Sequence, residues 1–210
     1  MNILIVGGGI GGLTTALALE KASIKSQIFE TSSQLRELGV GINLQPPAVK
    51  VLAELGLYDQ LLATGIETLA MIWFNKFGQK IWQEPRGRAA GLEWPQVSIH
   101  RGHLHSLLLT AVRERLGDGA VRTDHHFVDL ERHDNGSVRA HFVERDSSVA
   151  SGSYTGDGLI GADGIHSAVR RKFFPTKITP YFNGNMIWRM AVEIDEPILG
   201  GQIQFHVGTN

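Results

Sequence analysis

The chain has 210 residues, a formal net charge of -1 and no cysteine. The missing cysteine excludes disulfides, thiolate metal sites and a cysteine nucleophile, and the near-neutral balance gives no electrostatic reason to expect nucleic acid or an anionic membrane as partner. With 42% hydrophobic and 20% charged residues, the composition suits a globular chain that builds one domain, or one domain and part of another.

Ile3 to Val6 is a continuous β-branched and leucine run, the pattern of a strand buried on both faces. Glycines follow at once. Leu13, Ala16, Leu17 and Glu20 then recur at helical spacing, and Gln27 to Glu30 reads as a second strand. A strand-turn-helix-strand order within thirty residues predicts a parallel pair with a right-handed crossover. The apolar stretch Ile3 to Leu19 contains five glycines, no basic segment precedes it and no cleavage signal follows. It is therefore read as this unit and not as a signal peptide or membrane anchor, and the protein is expected in the cytoplasm.

Pro46 and Pro47 suit the first turn of a helix running through Val49, Leu52 and Leu55 to Gly56. Ala70 to Phe74 and Lys80 to Gln83 alternate around Phe77-Gly78 as a hairpin, and 85–95 reads as a loop. Leu104, Leu107, Leu108, Ala111, Val112 and Arg115 predict an amphipathic helix closed by Gly117. Val121 to Arg132 and Ser137 to Arg145 are expected to pair antiparallel across Asn135-Gly136. Gly158 to Gly161 reads as a short apolar strand ending at Ala162-Asp163-Gly164, with a helix from about His166 to Phe174. Alternation after Pro180 is consistent with sheet.

The run Gly7-Gly8-Gly9-Ile10-Gly11-Gly12 satisfies the dinucleotide fingerprint. In that pattern Gly7 permits the turn out of the strand, Gly9 leaves room for a pyrophosphate and Gly12 lets the helix pack on the sheet. The helix points free N–H groups and its positive end at the phosphates, worth ~0.3–1 kcal/mol at exposed sites. Glu30 lies eighteen residues after Gly12, where a carboxylate accepts bonds from adenosine ribose hydroxyls and repels a 2′-phosphate. The fingerprint alone does not separate FAD from NAD. The hairpins after Glu30, in place of further alternating helices and parallel strands, favour FAD.

Four segments then carry a family resemblance. Ile5 to Leu19, Leu35 to Leu57, His100 to Leu109 and Leu159 to Arg170 resemble the class A FAD-dependent monooxygenases, the aromatic-hydroxylase group that includes salicylate hydroxylase-like enzymes. Gly39-Val40-Gly41-Ile42-Asn43-Leu44-Gln45-Pro46 is similar to the family's loop beside the flavin, which makes Gly41 a cofactor-site candidate. His100-Arg101-Gly102-His103-Leu104-His105 is similar to its arginine-leading helix, and 161–170 to its Asp-Gly fingerprint. The resemblance implies a Rossmann-like α/β FAD-binding domain of the glutathione-reductase type with inserted antiparallel β elements. That domain is expected over 1–69 and 97–175, with part of a substrate-domain sheet over 70–96 and 176–210.

By position, the resemblance assigns Glu30 to the adenosine ribose and Arg36 and Arg101 to the phosphate or ribityl region. It assigns Asp163 to the cofactor, although Asp163 also suits a helix cap, and the backbone of Val128 to adenine. It implies that FAD, NADH or NADPH, and O2 together hydroxylate an aromatic or similarly electron-rich small molecule, with no protein metal and no assigned catalytic base. Arg189 and His206 are candidate substrate residues, whereas His103 and His105 read as helix-surface residues. Family members are about twice as long and carry a later Gly-Asp fingerprint, so the chain is expected to be an N-terminal half. A homo-oligomer or the missing segment would cover its exposed edges. A non-catalytic nucleotide-binding half-protein, and a halogenase or reductase of the same fold, are the alternatives.

Overall fold

The computed structural model describes residues 1–35, 39–174, 181–192 and 200–207. In chain order the elements are β1 (Asn2–Val6), α1 (Ile10–Lys21), β2 (Lys25–Phe29), β3 (Gly41–Leu44), α2 (Pro46–Glu54), α3 (Tyr58–Thr64), β4 (Ile66–Thr68), β5 (Ala70–Asn75) and β6 (Lys80–Pro85). These are followed by β7 (Gln96–His100), α4 (Arg101–Leu116), β8 (Val121–Arg122), β9 (His126–Arg132), β10 (Val138–Val143), β11 (Ala150–Gly156), β12 (Gly158–Gly161), α5 (Ala168–Phe173) and β13 (Gln202–Val207). Two compact units result: Met1–Glu37 with His105–Met186, and Leu38–Leu104 with Ile187–Asn210.

The first unit is built on a parallel sheet of order β12-β1-β2-β8. Ile5 faces Ile28 on one side and Ile160 on the other, so β1 is central, and Leu4, Ile5 and Val6 are buried. This is why its sequence is apolar without alternation. An antiparallel sheet of order β11-β10-β9 packs beside it. Their shared core contains Leu4, Val6, Phe29, Phe127, Ala140, Phe142 and Val169. Phe29 stacks on Phe142 with centroids 4.4 Å apart, and Tyr154 donates to or accepts from His125 Nε2 at 2.9 Å.

The second unit holds an antiparallel sheet of order β3-β7-β4 and a mixed sheet of order β13-β5-β6. In the latter, β13 runs parallel to β5, and Phe205 stacks on Trp73 at 4.6 Å.

Three local expectations need correction. Val121 to Arg132 is not one strand. β8 joins the parallel sheet beside β2, Asp124 turns with φ 55°, and only β9 pairs with β10. The last helix of the first unit begins at Ala168 and not near His166, because Ser167 takes the N-cap position. Residues 181–192 are not sheet: they carry no strand, and Tyr181, Phe182, Ile187 and Trp188 are exposed. Alternation alone does not make a strand without a neighbour to complete its ladder. Among the described residues no helix is long and apolar enough to cross a membrane.

Candidate functional site: a dinucleotide cleft in the first unit

The glycine loop leaves β1 at Gly7, whose φ is 109°, a region L side chains rarely adopt. A Cβ there would also lie 2.4 Å from the carbonyl oxygen of Ala162. At Gly12 a Cβ would lie 1.9 Å from the Gly7 carbonyl oxygen, so only glycine lets α1 approach the turn. Both positions are explained by the protein's own packing.

Gly9 is different. It is the N-cap of α1 with φ -76° and ψ -178°, and makes no side-chain cap bond. A Cβ at Gly9 would meet no protein atom within 4 Å. The missing side chain leaves open space at the positive end of a twelve-residue helix, which is the arrangement a diphosphate needs.

Glu30 follows β2 and faces this loop. Its Oε2 accepts the Gly8 N–H at 2.7 Å and its Oε1 accepts the Ser32 N–H at 2.9 Å. Each carboxylate oxygen has a second acceptor direction, so the group holds the loop and still has capacity for two ribose hydroxyls. Its backbone is fixed from both sides, Glu30 N–H donating to Arg122 O and His125 N–H to Glu30 O at 2.8 and 2.9 Å.

Gly7, Gly9, Glu30 and Asp163 line one cleft of about 340 Å³, together with Thr31, Ser32, His126, Phe127, Arg145 and His166. Asp163 follows β12, which the Ala162 N–H ties to Val6 O at 2.7 Å. Its Oδ1 accepts from Ser167 Oγ at 2.5 Å, and its Oδ2 accepts the Ala168 and Val169 N–H groups at 2.6 and 3.1 Å. Asp163 is therefore not the N-cap, a position that Ser167 holds; its carboxylate instead accepts the first amides of α5 from outside the helix, on a residue that also faces the cleft.

None of the other sequence candidates that the structure describes is among the residues that line this cleft. Val128 is on β9 with an exposed side chain and is not among the lining residues, although its neighbours His126 and Phe127 are. Gly41 opens β3 opposite His100 in the second unit. In that unit Arg101 is exposed and its N–H donates to Val40 O at 2.9 Å. Arg189 is exposed, and His206 stacks on Phe74 at 5.0 Å. Arg36 lies outside the described residues.

Nothing in the sequence singles out His126 or Arg145, and His105 departs from its sequence-based expectation. His126 and Arg145 reach the cleft only through the folding of β9 and β10, and no local pattern marks them. His105 was read as a helix-surface residue. It is instead half-buried, with Nε2 2.8 Å from the Gly8 carbonyl oxygen. Its spacing from Leu104 and Leu108 on a helix carried no signal of that bond.

Comparison with known proteins agrees with this geometry. The FAD binding domain family matches residues 1–194. The chain is 45% identical over 196 residues to phenazine 1,6-dicarboxylic acid hydroxylase of Lysobacter antibioticus, covering 93% of this chain and 48% of the relative. It is 32% identical over 198 residues to 3-hydroxybenzoate 6-hydroxylase 1 of Aquipseudomonas alcaligenes, covering 93% and 48%. Among solved structures, Klebsiella pneumoniae HpxO complexed with FAD and uric acid superposes with a TM-score of 0.65 at 26% identity, over 81% of this chain and 41% of that one. The chain spans about half the length of the curated relatives it matches. With a βαβ unit, an open glycine cradle and a carboxylate closing the second strand, this chain belongs to the FAD-binding domain family of the class A flavin-dependent monooxygenases.

Proposed function

We propose that this chain is the FAD-binding part of a monooxygenase that uses NADH or NADPH and O2 to hydroxylate an aromatic or similarly electron-rich small molecule. The observation that carries the reading is the joint placement of Gly9 and Glu30 in one cleft, with open space at Gly9 where a side chain would have stood. The relatives' printed activities, on a phenazine dicarboxylic acid and on 3-hydroxybenzoate, support an aromatic acid as the substrate class.

FAD supplies the redox chemistry and the reaction with oxygen, for which no side chain is suited. The chain's residues bind and orient it. The α1 N-terminus and the loop amides hold the diphosphate, and Glu30 accepts from the adenosine ribose. The segment around Val128 receives adenine through its backbone. Asp163, fixed by Ser167, borders the cofactor, and Arg36 and Arg101 neutralise phosphate or meet the ribityl chain. Gly41 belongs to the loop beside the flavin. Arg189 and His206 contribute to the substrate side. The absence of cysteine supports a cytoplasmic protein. Exposed Tyr181, Phe182 and Trp188 support a covering partner, such as a second copy.

The test has two stages. The purified chain is expected to take up FAD, read as quenching of flavin fluorescence. In a protein that carries this chain joined to the remainder of a relative-length monooxygenase, NADH or NADPH oxidation is expected to rise on addition of 3-hydroxybenzoate or a phenazine carboxylic acid. Failure to retain or take up FAD overturns the reading. FAD uptake by the chain, with no oxidation stimulated by any aromatic acid in the relative-length protein, leaves a nucleotide-binding module and removes the monooxygenase assignment.

A further inference from the structure

The three successive glycines of the loop present a problem of precision. With glycine on both sides of the Gly8–Gly9 peptide, no Cβ resists rotation of that peptide plane. Yet the plane decides where the Gly9 N–H points. Two side chains hold Gly8: Glu30 accepts its N–H at 2.7 Å, and His105 Nε2 lies 2.8 Å from its carbonyl oxygen. A carbonyl cannot donate, so Nε2 carries the proton in this bond. No peptide bond described is cis. In a trans peptide the carbonyl and the following N–H point in opposite directions. Drawing the Gly8 carbonyl toward His105 therefore turns the Gly9 N–H to the opposite side, at a residue that lines the cleft.

We infer that His105 is a positioning residue for the diphosphate: it fixes the Gly8–Gly9 peptide so that the Gly9 N–H is already directed for binding. His105 does not itself line the cleft and acts only through Gly8. The inference rests on the reading of this cleft as the FAD site. It deepens that reading by naming a residue that neither the fingerprint nor Glu30 includes.

The experiment measures dissociation constants for FAD and for ADP, which shares the diphosphate, together with melting temperature, for the 210-residue chain and three variants. His105→Leu is expected to weaken both ligands about tenfold, the size of one hydrogen bond, with the melting temperature little changed. His105→Gln, whose terminal amide can carry an N–H toward the Nε2 position, is expected to recover most of the affinity. His105→Asn is too short and is expected to bind like His105→Leu; it replaces that variant in the comparison if His105→Leu does not fold. Equal affinity in all variants, or equal loss in His105→Gln and His105→Asn, overturns the inference. A parent chain that binds neither FAD nor ADP overturns the site reading itself. That outcome is distinct from a parent chain that binds while the variants match it.

Discussion

The Glu30 carboxylate accepts the Gly8 N–H at 2.7 Å, so the acid that closes β2 and the loop that closes β1 form one hydrogen-bonded unit. Ser32 N–H, at 2.9 Å on the other carboxylate oxygen, fixes the group's plane. A residue proposed to meet the ribose thus also organises the loop proposed to receive the diphosphate. The two roles are compatible because each oxygen has more than one acceptor direction.

Glu30→Arg is expected to abolish FAD uptake while the fold persists, since the side chain is only half-buried. Charge-assisted bonds to a carboxylate are worth ~1.5–3 kcal/mol each, so two lost ribose bonds weaken binding by at least about a hundredfold. Fluorescence titration reads the affinity and circular dichroism the fold. A variant that retains flavin with unchanged affinity removes Glu30 from the ribose.

Gly9→Ala and Gly12→Ala are expected to separate binding from folding. At Gly9 the backbone is extended and the new methyl meets nothing, so the melting temperature should move little while FAD affinity falls sharply. At Gly12 the methyl lies 1.9 Å from a backbone oxygen. That clash forces α1 away from the turn, and overpacking of this kind costs ~1–3 kcal/mol. Thermal melts with and without FAD distinguish the two variants.

Asp163→Ala removes three hydrogen bonds, from the Ser167 hydroxyl and the Ala168 and Val169 amides. Losing an acceptor for first-turn amides costs ~0.5–2 kcal/mol, and Val169 belongs to the core. The expected result is a lowered melting temperature even without FAD, measured by calorimetry. Unchanged stability would mean that these bonds contribute nothing.

Asp129 on β9 pairs with Lys172 on α5. The Lys172 hydrogen bond, helped by the Leu130 N–H, holds the Asp129 carboxyl below its ordinary value of 3.8. A folded value below the unfolded one means that the contribution is present above the unfolded pKa and is lost as pH falls through the lowered folded pKa. The pair is exposed and its effect small. Lys172→Met is expected to return the Asp129 titration, followed by carboxyl NMR shifts, toward 3.8.

The legibility of the site tracks how local each cause is. Gly7, Gly12 and α1 were readable because a positive φ and a helix-on-turn approach are short-range demands with few residue solutions. Glu30 was readable because the strand and helix lengths of one βαβ unit set its distance from the loop. The alternating residues 181–192 misled, since a strand needs a partner that periodicity does not supply. The break at Asp124 was missed for a related reason. β8 and β9 are adjacent in sequence, and only the competition between two sheets for their edges sends one to β2 and the other to β10.

The sequence by itself therefore determined the βαβ unit, its glycine cradle, the acid that faces it and, through ordered motifs, the family. The motif resemblance had already assigned Asp163 to the cofactor, whereas tertiary structure alone brought His126 and Arg145 to that cleft and set His105 against the Gly8 carbonyl. These residues lie far from the loop along the chain, so their positions depend on strand pairing and helix packing between distant segments, which no local pattern encodes.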